Sequence, residues 1–217
     1  PGCGKTSFIL KNFKIGDLVL YPTKEGATEF SNRLKTSHPE LQDDVKNYCR
    51  TVHSFLINST NHLKNGGTYN RLIVDEALMV HAGEILYAVE LSQAKEVMMV
   101  GDMNQIPYIN RVTGHSTQFH DITKITEISQ YLSHSYRCTM TVACILSKYY
   151  SEGMTTSSNV KRELVKHVFD NINSIPVMVK DTKMLVFKQT EKAQLLKLGH
   201  NVSTIHEYQG KQAPHIV

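Results

Sequence analysis

Pro1-Gly2-Cys3-Gly4-Lys5-Thr6 decides how the chain is read, and Ser7-Phe8-Ile9-Leu10 continues it as the start of an apolar helix. The six residues are the end of the pattern G-x-x-x-x-G-K-[ST], whose glycines let backbone N–H groups close on phosphate oxygens. The helix behind them points the positive end of its dipole at the same oxygens. Lys5 supplies a mobile cation for β- and γ-phosphates, and the Thr6 hydroxyl is an oxygen ligand of the kind Mg²⁺ takes. The first glycine of the pattern would stand two residues before Pro1, so we expect an excised fragment. By itself Gly-Lys-Thr also reads as an ordinary helix cap after a turn, and the assignment depends on what lies downstream.

Downstream, apolar runs alternate with helical spacing, the pattern of a parallel α/β sheet. Leu18-Val19-Leu20-Tyr21 reads as a buried strand ended by Pro22-Thr23, with a polar helix over 24–36. Leu72-Ile73-Val74 is a second strand, and Ala82, Ile85, Leu86 and Val89 then share one helical face. Val97-Met98-Met99-Val100 is a third strand, stopped by Gly101-Asp102, and residues 60–70 read as a loop. The pattern weakens over 112–128 and restarts with a helix near 139–150 and strands near 184–187 and 202–205. These place a domain boundary near 120, giving lobes 1–120 and 121–217, with 151–160 an exposed loop.

Two strand ends carry chemistry. Asp75-Glu76 closes the second strand, where the ligand sites of parallel sheets lie. Asp75 is suited to hold Mg²⁺ and Glu76 to polarise a water that attacks the γ-phosphate. Alone, the pair reads equally well as the start of a helix, where negative charge is favoured. Gln105, in Gly101-Asp102-Met103-Asn104-Gln105, offers a neutral amide that can hydrogen-bond the γ-phosphate or the attacking water without competing for the metal.

Composition adds bounds. The chain has 217 residues, 41% hydrophobic and 20% charged, enough for one large domain or two small ones. It holds no apolar run long enough to span a membrane. Its four cysteines (3, 49, 138 and 144) form no C-x-x-C pair, so reduced thiols are expected. Net charge is +4, but residues 1–110 carry −1 and residues 111–217 carry +5. A basic second half fits a polyanionic partner, and it also fits an ordinary solvated surface.

The ordered set Pro1–Thr6, Tyr21-Pro22-Thr23, Thr51-Val52-His53-Ser54-Phe55-Leu56, Asp75-Glu76-Ala77, Gly101 to Arg111, Tyr136-Arg137-Cys138 and Thr204-Ile205-His206-Glu207-Tyr208-Gln209-Gly210 resembles a known family. It is similar to superfamily 1 helicases, specifically the RNA helicases of alphavirus-like positive-strand RNA virus replicases. Residues 105–111 look more like plant-virus replicases than like the separate movement-protein helicases. The resemblance implies two RecA-like P-loop NTPase lobes, α/β with parallel sheets and truncated at both ends, with ATP or another NTP and Mg²⁺ between them. It implies a catalytic set of Lys5, Glu76, Gln105 and Arg137, the last an arginine finger; position alone would make Arg137 a surface ion pair. Nucleotide binding would fall to Gly2, Cys3, Gly4, Lys5, Thr6, Ser7, Asp75 and Gly210, with Thr6 and Asp75 on the metal. RNA would meet Pro22, Thr23, Thr51, Ser54, Thr204, His206 and Gln209, although His206 reads as well as a structural histidine.

The implied activity is NTP-driven translocation on and unwinding of single-stranded or duplex RNA, together with RNA 5′-triphosphatase action. Methyltransferase and polymerase domains of a larger replicase would be its partners. Its place would be the host cytoplasm, with membrane-associated replication complexes. Two readings compete: a superfamily 1 DNA helicase, and an NTP-gated RNA-binding or movement protein with weak ATPase. The sequence departs from the family at His53, where relatives carry an acid, and at Gln212, where a small hydroxyl residue is usual. The last helicase motif, with its second arginine, and the upstream strand are expected to be missing.

Overall fold

Four parallel strands organise the first part of the chain: β1 (Asp17–Tyr21), β2 (Cys49–Thr51), β3 (Arg71–Asp75) and β4 (Glu96–Val100), in the order β2-β1-β3-β4. They belong to a computed structural model that describes all residues except 65–67, 111–113, 115, 161–163, 177–180, 210, 212 and 214, and except the side chains of 59–64. Helices cover both faces: α1 (Lys5–Lys11), α2 (Lys24–Ser37) and α3 (Val45–Tyr48) one face, α4 (Val52–Lys64) and α5 (Ala82–Ser92) the other.

The strands read as unbroken apolar runs because each face needs its own alternate residues. Leu18, Leu20, Leu72 and Val74 meet Val52 and Phe55 of α4 and Ile85 and Ala88 of α5. Val19, Tyr21 and Ile73 meet Ile9 of α1 and Ala27, Phe30 and Leu34 of α2. Full burial of each large aliphatic side chain is worth about 1.5–3 kcal/mol, so a charge at Val19 would break the sheet. At the opposite end, Arg71 Nη2 donates to Asp17 Oδ2 at 2.6 Å, and the same two residues are register partners. That buried pair locks β1 against β3, and with it the level at which Tyr21 and Asp75 emerge.

Two expectations are corrected here. Residues 60–70 are not all loop, because α4 runs to Lys64; Val52 and Phe55 stand at helical spacing on its buried side. Nor is 151–160 all loop: β6 (Thr155–Thr156) pairs in parallel with β5 (His134–Ser135). The expected helix near 139–150 is α6 (Met140–Ser147), shorter at its far end.

By packing, the chain divides into two units, Pro1–Glu163 and Leu164–Val217. Residues 121–163 fall in the first because the 134–156 segment bonds to the phosphate-loop end: Tyr136 N donates to Gly2 O and Ser135 Oγ to Pro1 O. The boundary expected near 120 rests on the break in the sequence pattern, whereas packing divides the chain after Glu163. The second unit is a parallel sheet ordered β8-β7-β9, built from β7 (Thr182–Val186), β8 (Val202–Thr204) and β9 (His215–Ile216). Helices α7 (Gln189–Lys197) and α8 (Ile205–Tyr208) accompany it, over a small core of Met184, Leu195 and Val202. Among the described residues no helix is long and apolar enough to cross a membrane.

Candidate functional site

The residues picked from the first six positions and from the end of β3 meet at the carboxyl edge of the sheet. Gly2 and Gly4 take positive φ of 69° and 76°, the left-handed region open to glycine, and the loop turns directly into α1. A side chain at Gly2 would also collide with Arg137, whose Cβ lies 2.6 Å from the place a Cβ would occupy. Cys3 is half-buried beside it, and Ser7 is exposed on α1.

Thr6 Oγ1 donates to Asp75 Oδ2 at 2.9 Å, and Lys5 Nζ faces Glu76 Oε1 at 3.9 Å. Asp75 is almost wholly buried, and burial raises its carboxyl pKa against the opposing pull of Thr6 and Lys5. Burial raises Glu76 as well; Lys5 opposes this, while Asp75 and Asp102 add to it. Glu76 sits at φ 53°, a strained setting for a residue with a Cβ, and its N–H donates back to Asp75 Oδ1 at 2.9 Å. The strained turn lets two consecutive residues serve one cleft, since regular strand alternation would send them to opposite faces.

Donor chemistry fits Mg²⁺. One carboxylate and one hydroxyl beside a phosphate loop suit a cation that takes most of its oxygens from water and from substrate phosphates. Among the described residues no three His, Cys, Asp or Glu side chains gather into a metal cage of their own.

Gln105 follows β4, and its amide donates to Asp102 Oδ2 at 2.7 Å. Asp102 also accepts from Asn104 N and, with both oxygens at 3.0 Å, from the Tyr150 hydroxyl. Asn104 Nδ2 donates to Tyr149 O at 2.8 Å, a second tie between this loop and the turn after α6. Arg137 is exposed next to Gly2, and the neighbouring Tyr136 ring lies over Gly4. Sequence reasoning missed Tyr150 and Tyr21; a lone tyrosine beyond a helix or at a strand end carries no pattern.

The residues assigned to RNA divide between the units. In the first, Thr23 Oγ1 caps α2 by accepting from Gly26 N, and Thr51 Oγ1 accepts from Ser54 N at the start of α4. Thr23 follows β1 and Thr51 ends the neighbouring β2, so Pro22, Thr23, Thr51 and Ser54 lie along one carboxyl edge. His53 Nε2 stands 3.3 Å from Glu84 Oε1, so an acid is supplied from α5 beside the histidine. In the second unit, Thr204 is buried and caps α8 by accepting from Glu207 N. Glu207 is held by Lys192, Gln189 and Thr204 N, which lower its carboxyl to about 2. His206 lies on α8, and the buried Gln209 amide has no hydrogen-bond partner among the described residues. Gly210, Gln212 and Arg111 lie outside the described residues.

A family model for the viral superfamily 1 RNA helicase core domain matches residues 1–217. The replicase large subunit of Tobamovirus Ob is 35% identical over 219 residues, covering 97% of this chain and 13% of that protein. The replicase large subunit of soil-borne wheat mosaic virus is 33% identical over 226 residues, covering 97% and 12%. The chain therefore spans only a small part of these relatives. Among solved structures, a PRRSV helicase superposes with a TM-score of 0.65 at 19% identity, covering 97% of this chain and 42% of that one. An arterivirus nonstructural protein 10 helicase in complex with DNA gives 0.62 at 19% identity, covering 100% and 51%. At such identity the likeness concerns the fold, a mixed α/β architecture with parallel sheets.

Proposed function

The chain belongs to the viral superfamily 1 RNA helicases, and from that premise we propose that it hydrolyses ATP or another NTP with Mg²⁺ to move along and unwind RNA. One observation carries this reading: Thr6 is bonded to Asp75 while Lys5 faces Glu76 in a single cleft at the sheet edge. Gly2, Cys3, Gly4, Lys5, Thr6 and Ser7 would cradle the phosphates, and Thr6 and Asp75 would hold the metal. Bound there, Mg²⁺ would neutralise charge building on the phosphate oxygens.

Glu76 would orient a water and take its proton. Its raised pKa brings its basicity nearer to neutral pH, which suits a general base. Gln105, steadied by Asp102, and Arg137, beside the phosphate loop, would complete the charge field around the γ-phosphate. RNA would lie along the edge formed by Pro22, Thr23, Thr51 and Ser54, and would engage Thr204, His206 and Gln209 of the second unit. The same hydrolytic site would serve removal of an RNA 5′-γ-phosphate. Lobes 1–120 and 121–217 would close and open with each turnover, within a longer replicase carrying methyltransferase and polymerase domains. Its setting would be host-cytoplasmic, membrane-associated replication complexes.

The test is turnover with and without single-stranded RNA, with DNA as comparator. Lys5→Ala should abolish hydrolysis. Glu76→Gln should retain nucleotide binding and lose about 10²-fold or more in rate. Undiminished turnover in Glu76→Gln would refute the assignment.

A further inference from the structure

Two half-buried thiols converge beside the phosphate loop, and nucleotide hydrolysis needs neither sulfur. Cys3 Sγ stands 3.5 Å from Pro1 O, and Cys138 Sγ stands 3.9 Å from the same oxygen. Ser135 Oγ donates to that oxygen at 3.0 Å. A carbonyl oxygen has two lone pairs, so the hydroxyl takes the strong bond and leaves the thiols long, weak contacts that cost little to give up.

The backbones that carry the two cysteines touch one residue upstream of each. Gly2 O accepts from Tyr136 N at 2.9 Å, and a Cβ on Gly2 would stand 2.6 Å from Arg137 Cβ. Cys138 N donates in turn to Ser135 Oγ at 3.0 Å. Both thiols also lie near enough to the Tyr150 hydroxyl to add to the rise in its pKa, which burial and Asp102 begin. Cysteines on touching backbones, with their sulfurs around one oxygen, are within reach of the short span a disulfide bridges, Cα atoms about 4.4–6.8 Å apart. The other two thiols stand elsewhere: Cys49 is buried in the α2 layer with Sγ 3.4 Å from Ala27 O, and Cys144 is exposed on α6. Cys3 lines an open cleft of about 650 Å³ with Lys5 and Asp102, so a small solute can reach it.

We propose that Cys3 and Cys138 are a redox-sensitive pair, a modification site at which a hydroperoxide joins the phosphate loop to the turn that carries Arg137. The peroxide O–O bond breaks as the Cys3 sulfur takes one oxygen, giving a sulfenic acid and one water. The Cys138 sulfur then attacks the Cys3 sulfur. The S–S bond forms, the S–O bond breaks, and the oxygen leaves as a second water with the Cys138 proton. Two thiols and one H₂O₂ thus become one disulfide and two waters. The bond ties a residue of 1–120 to a residue of 121–217, segments that part in each turnover on the hydrolytic reading given above. Loss of turnover rests on that reading; the cross-link does not.

The experiment treats the protein with a modest excess of H₂O₂, denatures it, caps free thiols with N-ethylmaleimide and digests it without reductant for mass spectrometry. ATP turnover is followed before oxidation, after it, and after dithiothreitol. The expected result is a Cys3–Cys138 linked peptide with Cys49 capped as a free thiol. Turnover of the linked protein should fall about 10²-fold, the scale of a misplaced reacting group, and dithiothreitol should restore it. Cys138→Ser should keep basal turnover, give no linked peptide, and leave Cys3 as a sulfenic acid that dimedone traps. Absence of the linked peptide from the wild type, or linkage only through Cys144, would overturn the pair. Linked protein that turns over at the reduced protein's rate would overturn its control of turnover. Untreated protein with no turnover at all would sink the hydrolytic reading and that control with it, while the linked peptide would still establish the modification site.

Discussion

Removing the Tyr150 hydroxyl tests whether the loop after β4 is held from a distance. Tyr150→Phe keeps the ring and deletes the donor that spans both oxygens of Asp102 at 3.0 Å. A hydrogen bond to a charged acceptor contributes about 1.5–3 kcal/mol; both residues here are only half-buried, so about 1–1.5 kcal/mol is the working figure. At about 2–4 °C per kcal/mol for a domain of this size, melting should fall by roughly 2–6 °C. The Asn104 bond to Tyr149 O survives, so the loop should loosen rather than detach. Gln105 depends on Asp102, and a shift of order 1 Å in a group facing the reaction costs up to ~10²-fold. Turnover should therefore drop about 10- to 100-fold with little change in KM. A double-mutant cycle with Gln105→Ala should give a coupling of at least about 0.5 kcal/mol in kcat. An unshifted melting curve with full turnover, or strictly additive effects, would refute the link.

Other expectations follow from the same geometry. The acid limb of kcat/KM should lie above the usual Glu value of about 4.3, because burial raises Glu76 and a protonated base cannot accept a proton. Activity falls as pH drops through that raised value, and a limb at an ordinary carboxylate pKa would contradict it. Between the ordinary and the raised value the folded state binds the proton more tightly, so stability declines as pH rises through that window. Glu76→Gln should consequently melt higher at neutral pH, as differential scanning fluorimetry can check. Arg137→Ala should lower the RNA-stimulated rate about 10³-fold while leaving nucleotide binding nearly intact, and the reverse outcome in an equilibrium binding assay would remove its role as an arginine finger. Gly2→Ala combines about 1–2 kcal/mol of left-handed backbone strain with the collision at Arg137 Cβ. Fluorescent-nucleotide titration should show affinity weakened about tenfold or more.

Sequence alone determined the features that are local. Six contiguous residues set a loop and a helix start, because glycine conformations and lysine and threonine chemistry need no distant partner. Asp75 and Glu76 were legible because an apolar run that stops at two acids, downstream of a phosphate loop, fits the end of a strand at a sheet edge. The parallel α/β architecture followed from apolar runs covered on both faces. Tertiary structure decided what depends on register and on contact across sequence. It placed Tyr21 beside Asp75, bound Tyr150 to Asp102, and aligned the ends of β1 and β2 by pairing Tyr21 with Thr51. It also joined residues 134–156 to the phosphate-loop end, although the sequence pattern breaks near 120. These are pairings between residues tens of positions apart, and a side chain's partner there is chosen by strand register and packing, which one residue's own type does not encode.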